Sequence, residues 1–287
     1  MHLFWRRKKE SSPNPSTNIP VDTPVNVSAA PLASRRLLSY QTASLHRIGA
    51  RENQEDSFGF ANAQDVTDIK NMGLLAVVAD GMGGLACGKQ VSSRTVNLLL
   101  KEFSCMDREA DMAVQLRDSF LRTSQAVYSE FQGRGGSTAV ACIFFQEACY
   151  FASVGDSGLY LKREDGICRL NREQNYCHEL YLHMIRTKQL NAQKAESDPD
   201  AACLNQFIGI HTLCDVEFFR IPLPLQDGDT FLLCSDGVSG VLTEKELSFC
   251  LHAPSPQEAC RQIDQKIQEK QLPYQDNYTA LVITCGY

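Results

Sequence analysis

The chain has 287 residues, 43% hydrophobic and 22% charged, with a formal net charge of -6. That balance is ordinary for a globular protein and excludes a collagen-like, wholly disordered or disulfide-dense miniature chain. Its longest apolar run, Met72 to Ala79, is far short of the ~20 residues a membrane-spanning helix needs.

In chain order, the first segment is basic and polar. Residues 1–39 hold six Arg or Lys (Arg6, Arg7, Lys8, Lys9, Arg35, Arg36) against Glu10 and Asp22, which leaves 22 basic and 32 acidic residues in the rest. Residues 10–34 are rich in Pro, Ser, Thr and Asn without apolar periodicity, so a disordered tail over 1–39 is expected. Its start, Met1 to Lys9, sets apolar residues beside four cations. That composition also suits a weak anchor at an anionic membrane surface, but a solvated tail is the expectation.

A single folded domain is expected over 40–287. Strand-like runs fall at 44–48, 73–79, 137–145, 148–154, 157–162, 213–219, 229–234 and 278–284. Helical periodicity falls at 88–103, 109–131 and 173–190, and again at 243–251 and 255–270. Thr243 with Glu246 makes a capping box at the start of the fourth. Strands followed directly by strands, with helices in separate pairs, predict an α+β fold with antiparallel sheets. The acidic body lacks the basic face that nucleic-acid binding requires. Twelve Cys without a C-x-x-C pair, and no secretory apolar region, point to a reducing cytoplasm.

Three apolar runs end alike: Leu74–Ala79 meets Asp80-Gly81, Tyr150–Gly155 meets Asp156-Ser157, and Phe231–Ser235 meets Asp236-Gly237. A lone strand-end Asp is an ordinary turn-former. Three of them following core strands repel one another unless a cation sits between, and hard divalent ions with oxygen ligands fill that role. Glu55-Asp56, preceded by Arg51 and just ahead of a strand, and Asp276-Asn277 ahead of the last strand, add to the set. Five Asp and one Glu with a single Arg nearby look like a two-metal hydrolytic site for phosphate esters, the Arg holding the anion.

The ordered motifs Arg51-x-x-x-Glu55-Asp56, Asp80-Gly-Met-Gly-Gly84, Gly136-Ser-Thr138, Gly155-Asp-Ser157, Ser235-Asp-Gly237 and Asp276-Asn277 resemble those of the metal-dependent protein phosphatases of type 2C, in their bacterial branch. The resemblance implies a central antiparallel β-sandwich flanked by helix pairs on both sides. It also implies hydrolysis of phosphoserine and phosphothreonine esters by a metal-activated water. Asp80, Asp236 and Asp276 would be direct ligands of a Mn2+ or Mg2+ pair, with the Gly81 carbonyl contributing. Glu55 and Asp56 would act through waters, Asp156 would help hold a third ion, and Arg51 would bind the phosphate. Partners would be phosphorylated proteins and a cognate serine/threonine kinase, and the enzyme would be a monomer. The alternative is a weak or inactive pseudophosphatase serving as a regulatory binding module.

Three departures from the family pattern stand out: Gln54 in place of Asn, Met82 in place of the His of many eukaryotic members, and Gly158 where Arg is common. The last predicts loss of a strand-anchoring contact. Segment 171–209 corresponds to the family's mobile flap and is expected to govern substrate choice. Cys214 and Arg220 have the spacing of a cysteine-phosphatase loop, but the residues between them read as a strand. Cys177, His178 and His183 lack the spacing of a zinc pair.

Overall fold

Successive residues of a strand point to opposite faces, and every residue of Leu74–Ala79 is buried, so this strand must be covered on both sides. Leu75, Val77 and Ala79 enter one apolar core, while Leu74, Ala76 and Val78 enter another. The computed structural model describes residues 38–82, 87–189 and 191–287. The expected tail therefore lies outside the described residues, save that Leu38 is buried in a core and Ser39 opens the first strand.

The elements begin with β1 (Ser39–Arg47), β2 (Ser57–Ala61), α1 (Val66–Met72), β3 (Leu74–Ala79), α2 (Gly88–Ser104) and α3 (Met112–Phe131). Then come β4 (Ala139–Phe145), β5 (Ala148–Val154), β6 (Gly158–Arg163), β7 (Gly166–Arg169), α4 (Tyr176–Arg186) and α5 (Ala192–Glu196). The chain continues with β8 (Glu217–Phe218), β9 (Leu223–Pro224), β10 (Thr230–Cys234), α6 (Asp236–Ser239), α7 (Glu244–Leu251), α8 (Pro256–Glu269) and β11 (Tyr278–Gly286). One sheet has the order β1-β11-β10-β6-β7, the other β2-β3-β4-β5-β8 with β9 also on β5. Their pairings are antiparallel.

Three cores separate four layers. Leu99 and Phe103 of α2 with Leu116 and Phe120 of α3 cover Val77 and Ile143 on the outer face of the second sheet. Between the sheets, Phe144 and Phe231 meet edge to face at 5.0 Å. Beyond the first sheet, Leu247 of α7 and Ile263 and Ile267 of α8 cover Leu232 and Val282. Burial of each such side chain stabilises the fold by roughly 1.5–3 kcal/mol. The sequence of layers is helix pair, sheet, sheet, helix pair, as the resemblance implies.

Helix starts follow from capping chemistry. Asp111 accepts from Val114 N at the head of α3, and Ser255 accepts from Glu258 N ahead of Pro256 in α8. Both halves of the Thr243–Glu246 capping box form at α7.

Differences from expectation cluster in weakly patterned segments. The helix expected at 173–190 ends at Arg186, and a separate short helix follows it. The strand expected over 213–219 is reduced to Glu217–Phe218, because only Ala152 and Ser153 of β5 are there to pair with it. β2, half-buried along its whole length, and the four-residue β7 are edge strands without a continuous apolar run.

This topology places the acidic segments together. Arg47 pairs with Tyr278, Cys234 with both Ala280 and Gly158, Ser57 with Ala79, and Ala139 with Val154. The loops at 48–56, 80–82, 155–157, 235–237 and 275–277 thus leave both sheets at the same end.

Candidate active site

At that end lies a cleft of about 250 Å³, lined among others by Arg51, Glu55, Asp80, Gly81, Asp156, Asp236 and Asp276. Asp56 lies beneath them, 4% exposed. All eight residues singled out in the sequence therefore meet in one place. A larger cavity of about 400 Å³, beside Tyr40, Ile69 and Phe144, lies at the far end of β4 and contains none of them.

The strand ends are held by polar side chains from their neighbours. Asp80 N donates to Thr138 Oγ1 (3.0 Å), and Ser137 Oγ donates to Asp80 O (2.8 Å). Gly81 N donates to Glu55 O (3.1 Å), which also accepts from Ser92 Oγ. A Cβ at Gly81 would stand 2.5 Å from Gly88 O and 2.6 Å from Glu55 O, so only glycine lets these segments approach. Asn277 links the remaining corners: its Oδ1 accepts from Glu55 N (2.7 Å), and its Nδ2 donates to Ile48 O and Asn53 O.

Asp56 is fixed most firmly. Its Oδ2 accepts from Ser235 Oγ and from Thr279 Oγ1, each at 2.7 Å. Its Oδ1 is buried without a hydrogen-bond partner. Burial, partly offset by those two hydroxyls and reinforced by the charges of Asp236 and Asp276, pushes its carboxyl up to about 6. Burial and the charges of Asp236 and Glu173 push Asp156 up to about 7. Asp80 is raised well above the ordinary range by burial and then by Asp56, Asp236 and Asp156. Asp236 is raised as well, by burial first and also by the charge of Asp276, so the buried carboxyls at this end disfavour one another's ionised forms unless a cation joins them.

Arg51 supplies the single basic side chain in the cleft lining among the described residues, with Nη2 2.5 Å from Asp276 Oδ2. Both partners are substantially exposed, so the pair is weak and free to exchange Asp276 for another anion.

Gly158 brings no side chain to this region, and a contact to the adjoining loop comes from β7. Arg169 of β7 donates Nη2 to Asp156 O (2.6 Å), pairs with Glu173 and lies over the Tyr160 ring. The Tyr160 ring lies against Gly158, with Cε2 2.6 Å from where a Cβ would stand. Thr279 and Arg169 carry no signal that would have marked their part in the site, because Thr279 acts on Asp56 and Arg169 on the Asp156 carbonyl through pairings that only the fold brings about.

No three acidic, His or Cys side chains among the described residues already converge as a metal-ligand set. The donor chemistry nevertheless fits a hard divalent ion. Oxygen ligands predominate, burial and neighbouring carboxylates raise Asp80, and Asp56 Oδ1 is a buried acceptor without a donor.

Comparison with known proteins agrees with this reading of the fold. The protein phosphatase 2C family model matches residues 46–275. The serine/threonine phosphatase stp of Listeria innocua is 30% identical over 205 residues, covering 69% of this chain and 77% of that protein. The crystal structure of the Mycobacterium tuberculosis serine/threonine phosphatase PstP superposes with a TM-score of 0.70 at 21% identity, covering 88% of this chain and 100% of that one. The PstP catalytic domain in complex with two manganese ions gives a TM-score of 0.66, also at 21% identity, covering 88% and 100%. A four-layer sandwich with this cleft and these relatives is a protein phosphatase. The chain belongs to the protein phosphatase 2C family, in its bacterial branch.

Proposed function

We propose that this phosphatase is a Mn2+- or Mg2+-dependent enzyme acting on phosphoserine and phosphothreonine in proteins. The observation that carries the reading is the meeting of six carboxylates from five separate segments around one cleft that also presents Arg51. Asp80, Asp236 and Asp276 would hold a metal pair, with Gly81 beside them, and Asp156 would help hold a third ion. When bound, such ions supply a water of lowered pKa and neutralise charge on the phosphate oxygens. The manganese complex of PstP supports the choice of metal.

The chain's own residues then divide the work. Arg51 releases Asp276 and takes the phosphate on its guanidinium. Ser235 and Thr279 hold Asp56 by one oxygen and leave the other without a donor. Asn277 fixes the Glu55 backbone, and Thr138 fixes that of Asp80. The 171–209 segment is proposed as a substrate-selecting flap, since its residues Ala202, Cys203 and Leu204 line the cleft.

The setting proposed is a cytoplasmic monomer opposing a cognate serine/threonine kinase. Twelve unpaired cysteines, six of them buried, accord with a reducing compartment. Among the described residues no helix is long and apolar enough to cross a membrane. Calorimetric titration with Mn2+ tests the metal reading apart from activity. Wild type is expected to bind, and Asp80→Asn and Asp236→Asn to bind far more weakly; equal binding by all three would sink the assignment.

A further inference from the structure

Resting on that reading, we propose that the groove behind Arg51 is a subsite for an apolar side chain of the phosphoprotein substrate, close to its phosphorylated residue. The groove has a volume of about 290 Å³, and Ala50, Ile267, Gln271 and Leu272 are among the residues that line it, none of which is charged. Ile267 forms a buried floor, at 2% exposure, while Leu272 stands on the rim at 44%. Ile48 is 44% exposed on the segment that leads into the groove, and Tyr274, on the same loop as Leu272, is 90% exposed. Apolar side chains left open around an uncharged groove, on an otherwise acidic body, mark a surface that meets something apolar.

Continuity with the cleft identifies the occupant. Gly49 and Ala50 line the groove and lead directly into Arg51, while Gln275 lines it and leads directly into Asp276. Ala50 N donates to Gln275 O (2.7 Å), and Arg51 pairs with Asp276 at 2.5 Å. Groove and cleft thus share the segments 49–51 and 275–276, which sets the groove beside the place where a substrate phosphate would meet Arg51. The two segments pack closely: Gly49 has φ +63°, and a Cβ there would stand 2.2 Å from Asp276 O.

An extended peptide advances about 3.3 Å per residue, and Gly49 and Arg51 can be at most about 7 Å apart. The apolar side chain therefore belongs within about four residues of the phosphorylated one. A Leu or Met fills such a groove, whereas an Asp leaves its charge desolvated and unpaired there.

The test is kcat/KM with Mn2+ for phosphothreonine peptides that carry Leu or Asp at each position up to four residues either side of the phosphothreonine. A small aryl phosphate, which has nothing to place in the groove, is run in parallel. Leu is expected to be preferred at one or two positions by about tenfold. Leu272→Asp should reduce that preference to within about twofold, and Gln271→Glu, which keeps the side-chain size, should weaken it. Hydrolysis of the aryl phosphate should be unchanged in both. A flat ranking in wild type, or a preference that survives both variants, overturns the subsite. Loss of self-association in the variants without a change in ranking would put a second copy in the groove and overturn it equally. Hydrolysis of neither substrate would instead defeat the phosphatase reading, and the subsite with it.

Discussion

Ser235 Oγ donates to Asp56 Oδ2 at 2.7 Å across 179 positions of sequence, joining the end of β10 in one sheet to the start of β2 in the other. The same hydroxyl accepts from Thr279 N at 3.0 Å. One buried serine thus ties both sheets at the acidic end, and it also offsets part of the burial that raises the Asp56 carboxyl.

Ser235→Ala should therefore destabilise the protein by about 1–3 kcal/mol, since it strips partners from a buried carboxylate and a backbone amide. It should also weaken Mn2+ affinity by about 10–100-fold through the disturbed Asp56. Urea unfolding and calorimetric titration read the two effects separately.

Arg51→Ala should leave stability within about 0.5 kcal/mol of wild type, because the pair with Asp276 is exposed. KM for a phosphopeptide should rise by about tenfold or more. Arg51→Lys should recover only part of this, because an ammonium cannot reproduce the planar two-pronged contact with phosphate. Steady-state kinetics over a substrate series checks both.

The acidic end predicts an unusual pH dependence in chelator. Asp56 and Asp156 are raised to about 6 and about 7, above the ordinary carboxylate value near ~4. The native state then binds protons that the unfolded chain has already lost. Stability should fall as pH rises from about 4 to about 7, and it should change no further from these groups above that window. Excess Mn2+ should abolish the fall, and Asp156→Asn should flatten it. Denaturant midpoints across this range, with and without metal, measure the slope.

Arg169→Ala should cost about 1.5–3 kcal/mol through loss of a charged hydrogen bond to the Asp156 carbonyl and the pair with Glu173. A double-mutant cycle with Glu173→Gln isolates the second part, and thermal unfolding supplies the numbers.

Much of this site was legible in the sequence because carboxylates at the ends of buried strands are local features. Asp80, Asp156 and Asp236 each follow a run of apolar residues that can be read without knowing the fold. The antiparallel α+β class followed from strands adjoining strands, while the four layers came with the family resemblance. What could not be read was set by contacts between distant segments. Arg169 sits in Gly166–Arg169, too short a run to show a period, and only pairing with β6 carries it back to Asp156. The helix expected at 173–190 stops at Arg186 and a second short helix follows, because the capping side chains Asn175 and Asn191 sit among other polar residues and do not stand out. The groove behind Arg51 is assembled from β1's exit and the loop after α8, which no local pattern brings together.

The account rests on the acidic cleft being the seat of metal-dependent phosphate ester hydrolysis. Phosphate release from a phosphothreonine peptide, measured with Mn2+, with Mg2+ and with chelator, alongside Asp236→Asn, tests that most directly. Release that requires metal and falls by at least about a hundredfold in the variant is the predicted result. Folded wild-type protein that releases no phosphate with either metal, or releases it equally in chelator, would contradict the account. The former outcome would turn the chain into a regulatory binding module.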